Sequence, residues 1–341
     1  MTDRLRRRVL PVVGALVLAV VVLAGLIAVF GANPTATAIA LWNGVVGSPF
    51  TIGQTITIAS VLALTAISAL VPFTAQLWNV GAEGQLYAGA IGSVSVALTM
   101  GSGPGTLTLI CSVLAGIASG AVWGLVPGIL RTVWGASEMI VSLLMNFLAL
   151  LAANYVITRI FPDSSGQSTR TVTPNAQLPV LWTAGSVNLG VIFTILVVIA
   201  IGVMLGSTRF GFAVRAAGLN ARAARLAGFG DRSTSIATFA IAGGVAGLAG
   251  AVLVLGTSGH LSTGFSANYG FIGVAVALVA GLRPIFVIPS ALFFGALSVG
   301  SNSLQVAVGL PKDLGSVLVA VLVIVLLAVH VIRIRQRGAA A

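Results

Sequence analysis

The sequence predicts an all-α, polytopic membrane helix bundle of about ten spans, with a broken or re-entrant segment near residues 73–85 and both termini cytoplasmic. Composition is the first reason: 7% of the 341 residues are charged and 58% hydrophobic, whereas soluble domains carry roughly 25% charged residues. Long apolar runs recur along the chain, giving a mean hydropathy of +1.12. Short polar segments separate the runs and hold most of the arginines. At about 20 residues per span, residues 1–341 make one transmembrane domain with no sizeable soluble one.

Arg4, Arg6, Arg7 and Arg8 precede the first apolar run, Val9 to Phe30. That run is too long for a signal-peptide core and lacks a convincing cleavage site, so it reads as an uncleaved span. Further spans are expected near 51–71, 85–100, 106–128, 139–158, 188–207, 236–256, 270–282, 285–300 and 314–332. This arrangement puts Arg131, Arg209, Arg215, Arg222, Arg225, Arg232, Arg283, Arg333, Arg335 and Arg337 on the N-terminal side, leaving Arg159, Arg170 and Lys312 opposite. Such a bias marks the arginine-rich side as cytoplasmic. The longest external loop then runs about 159–187 and the longest cytoplasmic loop about 208–235.

Between the second and third runs, Phe73 to Gln85 is an island of polar groups that includes Trp78, Asn79, Glu83 and Gln85. An ionisable group at membrane depth costs several kcal/mol unless it faces a cavity, a partner or water, so Glu83 is a functional candidate. Gly81 and Gly84 suit a broken helix whose freed backbone lines a cavity. Alternatively, Glu83 is a structural carboxylate satisfied by helix N-terminal amides. Gly116, Gly120, Gly124 and Gly128 recur every fourth residue, and Gly243, Gly247 and Ala251 repeat the pattern; both are faces where helices approach closely. Gly101 to Gly105 is a turn.

Catalytic motifs are missing from the sequence. The sole cysteine, Cys111, lies within an apolar run, and the sole lysine, Lys312, belongs to no phosphate-binding loop. His260 and His330 have no neighbouring carboxylates, and the six acidic residues are scattered, so neither a metal site nor a paired-carboxylate hydrolase is expected, and no cofactor. A net charge of +11 is spread over the cytoplasmic ends of spans, which favours anionic membrane lipid over nucleic acid.

The segment from Thr208 to Ser235 is organised. Asn220 can cap a short helix, Ala221 to Ala227, that Gly228 ends. Arg222 and Arg225 share a face beside small alanines, as in a docking element for a soluble partner; a lipid-facing basic loop is the other reading.

Arg215-Ala-Ala-Gly-Leu-Asn-Ala-Arg-Ala-Ala-Arg-Leu-Ala-Gly228 resembles the coupling loop of bacterial ABC importer permeases of the branched-chain amino acid, ribose and nucleoside superfamily. Asn79-Val-Gly-Ala-Glu-Gly-Gln85 is similar to the Asn-(Ile/Val)-Gly-Ala-Glu-Gly-Gln signature of its nucleoside and simple-sugar branch. Ser137 to Phe147 and Tyr269 to Leu278 resemble two further stretches of that branch, the former with Ser137, Phe147 and several apolar positions differing. The likeness runs over about residues 50 to 330.

The resemblance implies a multi-pass permease subunit in the bacterial cytoplasmic membrane, working with ABC ATPase subunits, a second permease that is often a paralogue, and an extracytoplasmic substrate-binding lipoprotein. It implies no ATP hydrolysis in this chain. Nucleosides are the expected cargo, with ribose- or galactose-like sugars or branched-chain amino acids as alternatives. The expected pathway residues are Trp78, Asn79, Glu83, Gln85, Asn146 and Phe147, with Asn302 and Gln305 weaker candidates; Glu138 is expected to cap a helix. The ATPase-coupling residues are Arg215, Gly218, Asn220, Arg222, Ala224, Arg225 and Gly228. A proton-coupled carrier built on Glu83 and a lipid-embedded scaffold protein remain as other classes.

Overall fold

A computed structural model describes residues 33–101, 103–229 and 231–308, with positions 25 and 321. The expected first and last spans, both arginine-rich termini and Lys312 lie outside the described residues. The chain divides into two compact units, residues 1–55 with 293–341, and residues 56–292.

In the first unit, α1 (Pro34–Val46) is a helix where none was expected. Asn33 caps it, its side chain accepting from the Thr35 amide at 2.9 Å, and Pro34 occupies the first turn where a missing N–H costs nothing. Gly300, in the second half of α10 (Pro284–Val308), lets that helix approach Leu41 and Val45 of α1.

The second unit holds most of α2 (Pro49–Thr74), then α3 (Ala82–Thr99), α4 (Gly105–Trp134), α5 (Glu138–Tyr155), α6 (Gly190–Ser207), α7 (Arg209–Leu226), α8 (Asp231–Leu253), α9 (Tyr269–Val279) and the start of α10. Single π turns extend α5 to Ile160 and α8 to Ser258. Among the described residues, six helices are long and apolar enough to cross a membrane. The segment expected to cross at 270–282 is instead an 11-residue helix. At about 1.5 Å per residue it covers roughly half of a hydrocarbon core of about 30 Å.

The polar island breaks the chain between helices. Leu77 N–H donates to the Pro72 carbonyl and Gln76 N–H to that of Phe73, the two bonds of a Schellman end to α2. Gln76 takes the left-handed position, φ 58°, where glycine is usual. The Cβ there costs about 1 kcal/mol or more.

Helix packing follows the two small-residue faces. Gly120 of α4 lies against the Gly243 carbonyl and Gly247 backbone of α8, Gly124 against the Phe239 carbonyl, and Gly116 against Ala251. In lipid the tails are as apolar as leucine, so close backbone approach and dense contact replace the hydrophobic drive between helices.

Residues 161–189 form an ordered loop. The Thr169, Val172 and Leu178 amides donate to the carbonyls of Leu261, Gly259 and Leu255, and Asn188 bridges the Gly256 carbonyl and the Gly190 amide. A two-stranded hairpin, β1 (Val180–Trp182) with β2 (Val187–Asn188), is a small β element absent from the all-α expectation. Hydroxyls of Ser168 and Ser165 beside Asp163, with nearby amides, hold its carboxyl at about 2, below the ordinary carboxylate range. That turn gains stability above the unfolded value of about 3.8 and loses it as pH falls through about 2.

Gly120→Ala is expected to destabilise the protein by roughly 1–3 kcal/mol, because the new methyl meets backbone that cannot yield. Gly244→Ala, whose methyl meets Ile117 at 3.5 Å, is expected to be tolerated. Thermal unfolding of the two variants in detergent compares them; equal melting temperatures would remove the close approach as a determinant.

Candidate functional site: a polar island at two converging helix ends

Two helices, α3 and the half-length α9, begin at the island. Gly270, the second residue of α9, packs on the backbone of Ala82 and Glu83, the first residues of α3. The N-terminal N–H groups of both helices therefore lie close together, and at this depth side chains from other elements have to satisfy them.

Glu83 Oε2 accepts from the Gly270 amide at 2.6 Å, and its carboxylate also bonds the Ser266 hydroxyl. A carboxylate at a helix N-terminus is favoured by the exposed amides and the helix dipole. One turn further along α3, Tyr87 bonds the backbone at Ser266 and packs edge-on to Phe265, ring centroids 5.2 Å apart. Thr65 of α2 donates to the Tyr269 carbonyl at 3.1 Å. Asn146 of α5 performs the matching task for α3: its Oδ1 accepts from the Gly84 amide at 2.8 Å and its Nδ2 donates to the Val80 carbonyl at 3.0 Å. Any side chain at position 84 would strike the Asn146 backbone, so only glycine fits.

Asn79 and Gln85 form a reciprocal amide pair, both bonds 3.2 Å, joined by the Ser68 hydroxyl to Gln85 Oε1 at 3.1 Å. The six expected pathway residues thus separate into two groups. Asn79, Glu83, Gln85 and Asn146 are buried and bonded within the chain, whereas Trp78 and Phe147 are 48% and 61% exposed. Ser68, Thr65, Ser142 and Ser266, which complete the network, escaped the sequence reading because hydroxyls are common in apolar helices and nothing local marks their partners. Asn302 belongs to the first unit and is exposed, and the side chain of Gln305 lies outside the described residues.

Glu138, expected to cap α5, instead reaches away from that helix. It lies in the first turn of α5 and pairs with Arg131 at 2.7 Å, and its Oε1 accepts from the Trp78 amide at 3.4 Å.

At the same end of the unit, α7 leaves helical geometry at Asn220, φ −159° and ψ 97°. The Asn220 side chain accepts from the amides of Arg222 and Ala223 at 3.1 and 3.0 Å, forming the cap expected from sequence. Gly228, φ 85°, ends the short helix as the Phe229 amide reaches the Ala224 carbonyl at 3.1 Å. Ala224 is buried, Arg222 and Arg225 are exposed, and Arg215 donates to the Leu205 carbonyl. Gly218 packs directly on the Thr74 carbonyl, where α2 ends and the island begins. Leu219 and Leu226 are 89% and 85% exposed in this otherwise polar segment. The sequence reading passed over them because isolated leucines carry no pattern.

The chain is 30% identical to the guanosine ABC transporter permease protein NupP of Bacillus subtilis, over 99% of its own length and 100% of the relative's. It is 31% identical to the nucleoside ABC transporter permease protein NupB of Lactococcus lactis subsp. cremoris, covering 95% of this chain and 91% of that one. Identity to the glucose ABC transporter permease protein TsgB13 of Haloferax volcanii is also 31%, over 82% and 77%. The family model for the permease component of branched-chain amino acid transport systems matches residues 51–327. With that match covering most of the chain, six apolar helices and a buried polar island, the protein belongs to this family of ABC transporter permeases, as a multi-pass membrane transport subunit rather than an enzyme.

Proposed function

We propose that this permease carries nucleosides into a bacterial cell through the cytoplasmic membrane, in a complex with ABC ATPase subunits, a second and paralogous permease, and an extracytoplasmic binding lipoprotein. The near-full-length similarity to permeases named for guanosine and nucleosides carries the substrate reading. The likeness to a glucose permease keeps simple sugars as the second reading. Uptake of labelled guanosine and glucose by the reconstituted complex separates them, and saturable glucose uptake without guanosine uptake would reverse the order.

The topology behind this reading has about ten spans, with α7 cytoplasmic and residues 161–189 external. Trp78 and Phe147 are its pathway surfaces, flat apolar faces suited to a base. Asn79, Glu83, Gln85 and Asn146 frame that pathway by holding the helix ends. The short helix after Asn220 is the ATPase contact. ATP binding on the partner then biases two arrangements of the bundle, with no covalent chemistry here.

Glu83→Gln keeps one acceptor oxygen but loses the charge, so the Gly270 bond weakens by about 1 kcal/mol. The expected outcome is a lower melting temperature of the assembled complex with unchanged selectivity among ribosides and deoxyribosides. Altered selectivity at normal stability would make Glu83 a direct substrate contact.

Reversing charge at both Arg222 and Arg225 is expected to weaken coupling roughly tenfold, the loss of two exposed ion pairs of up to about 1 kcal/mol each. ATPase stimulation in the reconstituted complex measures it, and unchanged stimulation would make the segment a lipid-facing loop. Cysteines at the exposed positions Ser165 and Thr171 are expected to crosslink to the binding lipoprotein. Labelling of those positions only from the cytoplasmic side would invert the topology.

A further inference from the structure

Residues 78–84 run from the turn that ends α2 into the first turn of α3, alongside the start of α5. Three side chains of α5, Glu138, Ser142 and Asn146, hold that stretch at successive rungs. Their four-residue spacing places them one above the other on a single helix face. Trp78 N–H donates to Glu138 Oε1 at 3.4 Å, and Val80 N–H to the Ser142 hydroxyl at 3.3 Å. Asn146 then donates to the Val80 carbonyl at 3.0 Å and accepts from the Gly84 amide at 2.8 Å. Gly81 makes this close run possible, since a methyl there would meet the Ser142 side chain at 3.0 Å.

The clamp is graded along its length. Its deepest rung, at the buried Asn146, has the shortest bonds, whereas the rung at Glu138 is long and ends on the exposed Trp78. A bond of that length is near the outer limit of hydrogen bonding. Arg131 braces this rung, its guanidinium pairing at 2.7 Å with the same oxygen, Oε1, and fixing the carboxylate in place. On the other side of Trp78 the chain turns through the left-handed Gln76 to Thr74, whose carbonyl seats Gly218 of α7. Any displacement of α7 is therefore met first by the loose end of the clamp.

Trp78 is the residue at that end. Its half-exposed indole leans on Phe73 of α2, ring centroids 5.1 Å apart, while its backbone is tied to α5 through Glu138. The direction in which the indole points depends on both supports. We propose, resting on the reading of Trp78 as a pathway surface, that Glu138 braced by Arg131 is a positioning residue that sets the orientation of the Trp78 indole. Glu138 acts through Trp78 and not on the substrate.

The test uses the intact transporter complex with fluorotryptophan in the permease, read by fluorine NMR. The Trp78 resonance is the one lost in Trp78→Phe. Glu138→Ala is expected to shift or broaden it while the Trp182 resonance, from the 161–189 loop, stays in place. Glu138→Gln, which keeps an acceptor oxygen, serves should the alanine variant fail to assemble, with a smaller shift expected. Uptake of whichever labelled substrate the complex carries, guanosine or glucose, is the second readout. Glu138→Ala should lower it roughly tenfold, the low end for losing a hydrogen bond to a charged group. Trp78→Ala should lower it at least as much, and because that variant keeps the backbone amide but lacks the indole, adding Glu138→Ala to it should cost little more. Exchanging the charges, Arg131→Glu with Glu138→Arg, restores an ion pair but leaves no acceptor at position 138, and should not restore uptake. An unmoved Trp78 resonance in whichever variant assembles, full additivity with Trp78→Ala, or rescue by the exchanged pair overturns the positioning and makes Glu138 a staple between α4 and α5. Wild-type uptake by Trp78→Ala instead removes Trp78 from the pathway, and this role of Glu138 with it.

Discussion

The contact between the first turns of α3 and α9 is the constraint on which the rest of the second unit depends. Two helix N-termini meeting inside an apolar bundle present unpaired amides to each other, and no solvent is available to them. Glu83 answers for α9 and Asn146 for α3, each reaching across from another helix. The first turn of α9 is therefore capped partly by its own flank, the Ser266 hydroxyl accepting from the Tyr269 amide at 3.3 Å, and partly by Glu83 of α3, while the Gly84 amide of α3 is served by Asn146 of α5. Asn268, at the N-cap of α9, makes no side-chain cap bond, and neither does Gly81 at that of α3.

This arrangement explains why so much polarity is tolerated between apolar runs. Asn79 and Gln85 satisfy one another, Ser68 completes the pair, and Gly84 and Gly270 allow the close approaches the bonds require. A half-satisfied network would be worse than an apolar core, and in this one every amide oxygen and nitrogen of Asn79, Gln85 and Asn146 has at least one partner. The exposed aromatics beside it, Trp78 and Phe147, are free of that duty.

Around the island, glycine supplies the rest of the architecture. The α4 and α8 backbones come close enough that a methyl group cannot enter at Gly120, Gly124 or Gly243, and α3 joins them through Gly89. Gly218 extends the same device to the surface, seating α7 on the last carbonyl of α2. The helix that presents Arg222 and Arg225 thus sits one contact from the turn that opens the polar island.

Much of this was legible in the sequence, because its signals are local. Hydrophobic runs mark long helices, spacing by four marks the glycine faces, and an asparagine before a short basic helix with a glycine after it marks the capped segment of α7. The motif from Asn79 to Gln85 also marks where polarity is needed. What only tertiary structure decided is the task of each polar group: that Glu83 meets Gly270, that Asn146 meets Gly84, and that residues 269–279 form a half-length helix. Nor was α1 foreseen, although Asn33 and Pro34 carry its cap. Capping by a residue on another helix leaves no mark along the chain, since Glu83 and Gly270 are separated by 187 positions and become neighbours only when α3 and α9 pack end to end.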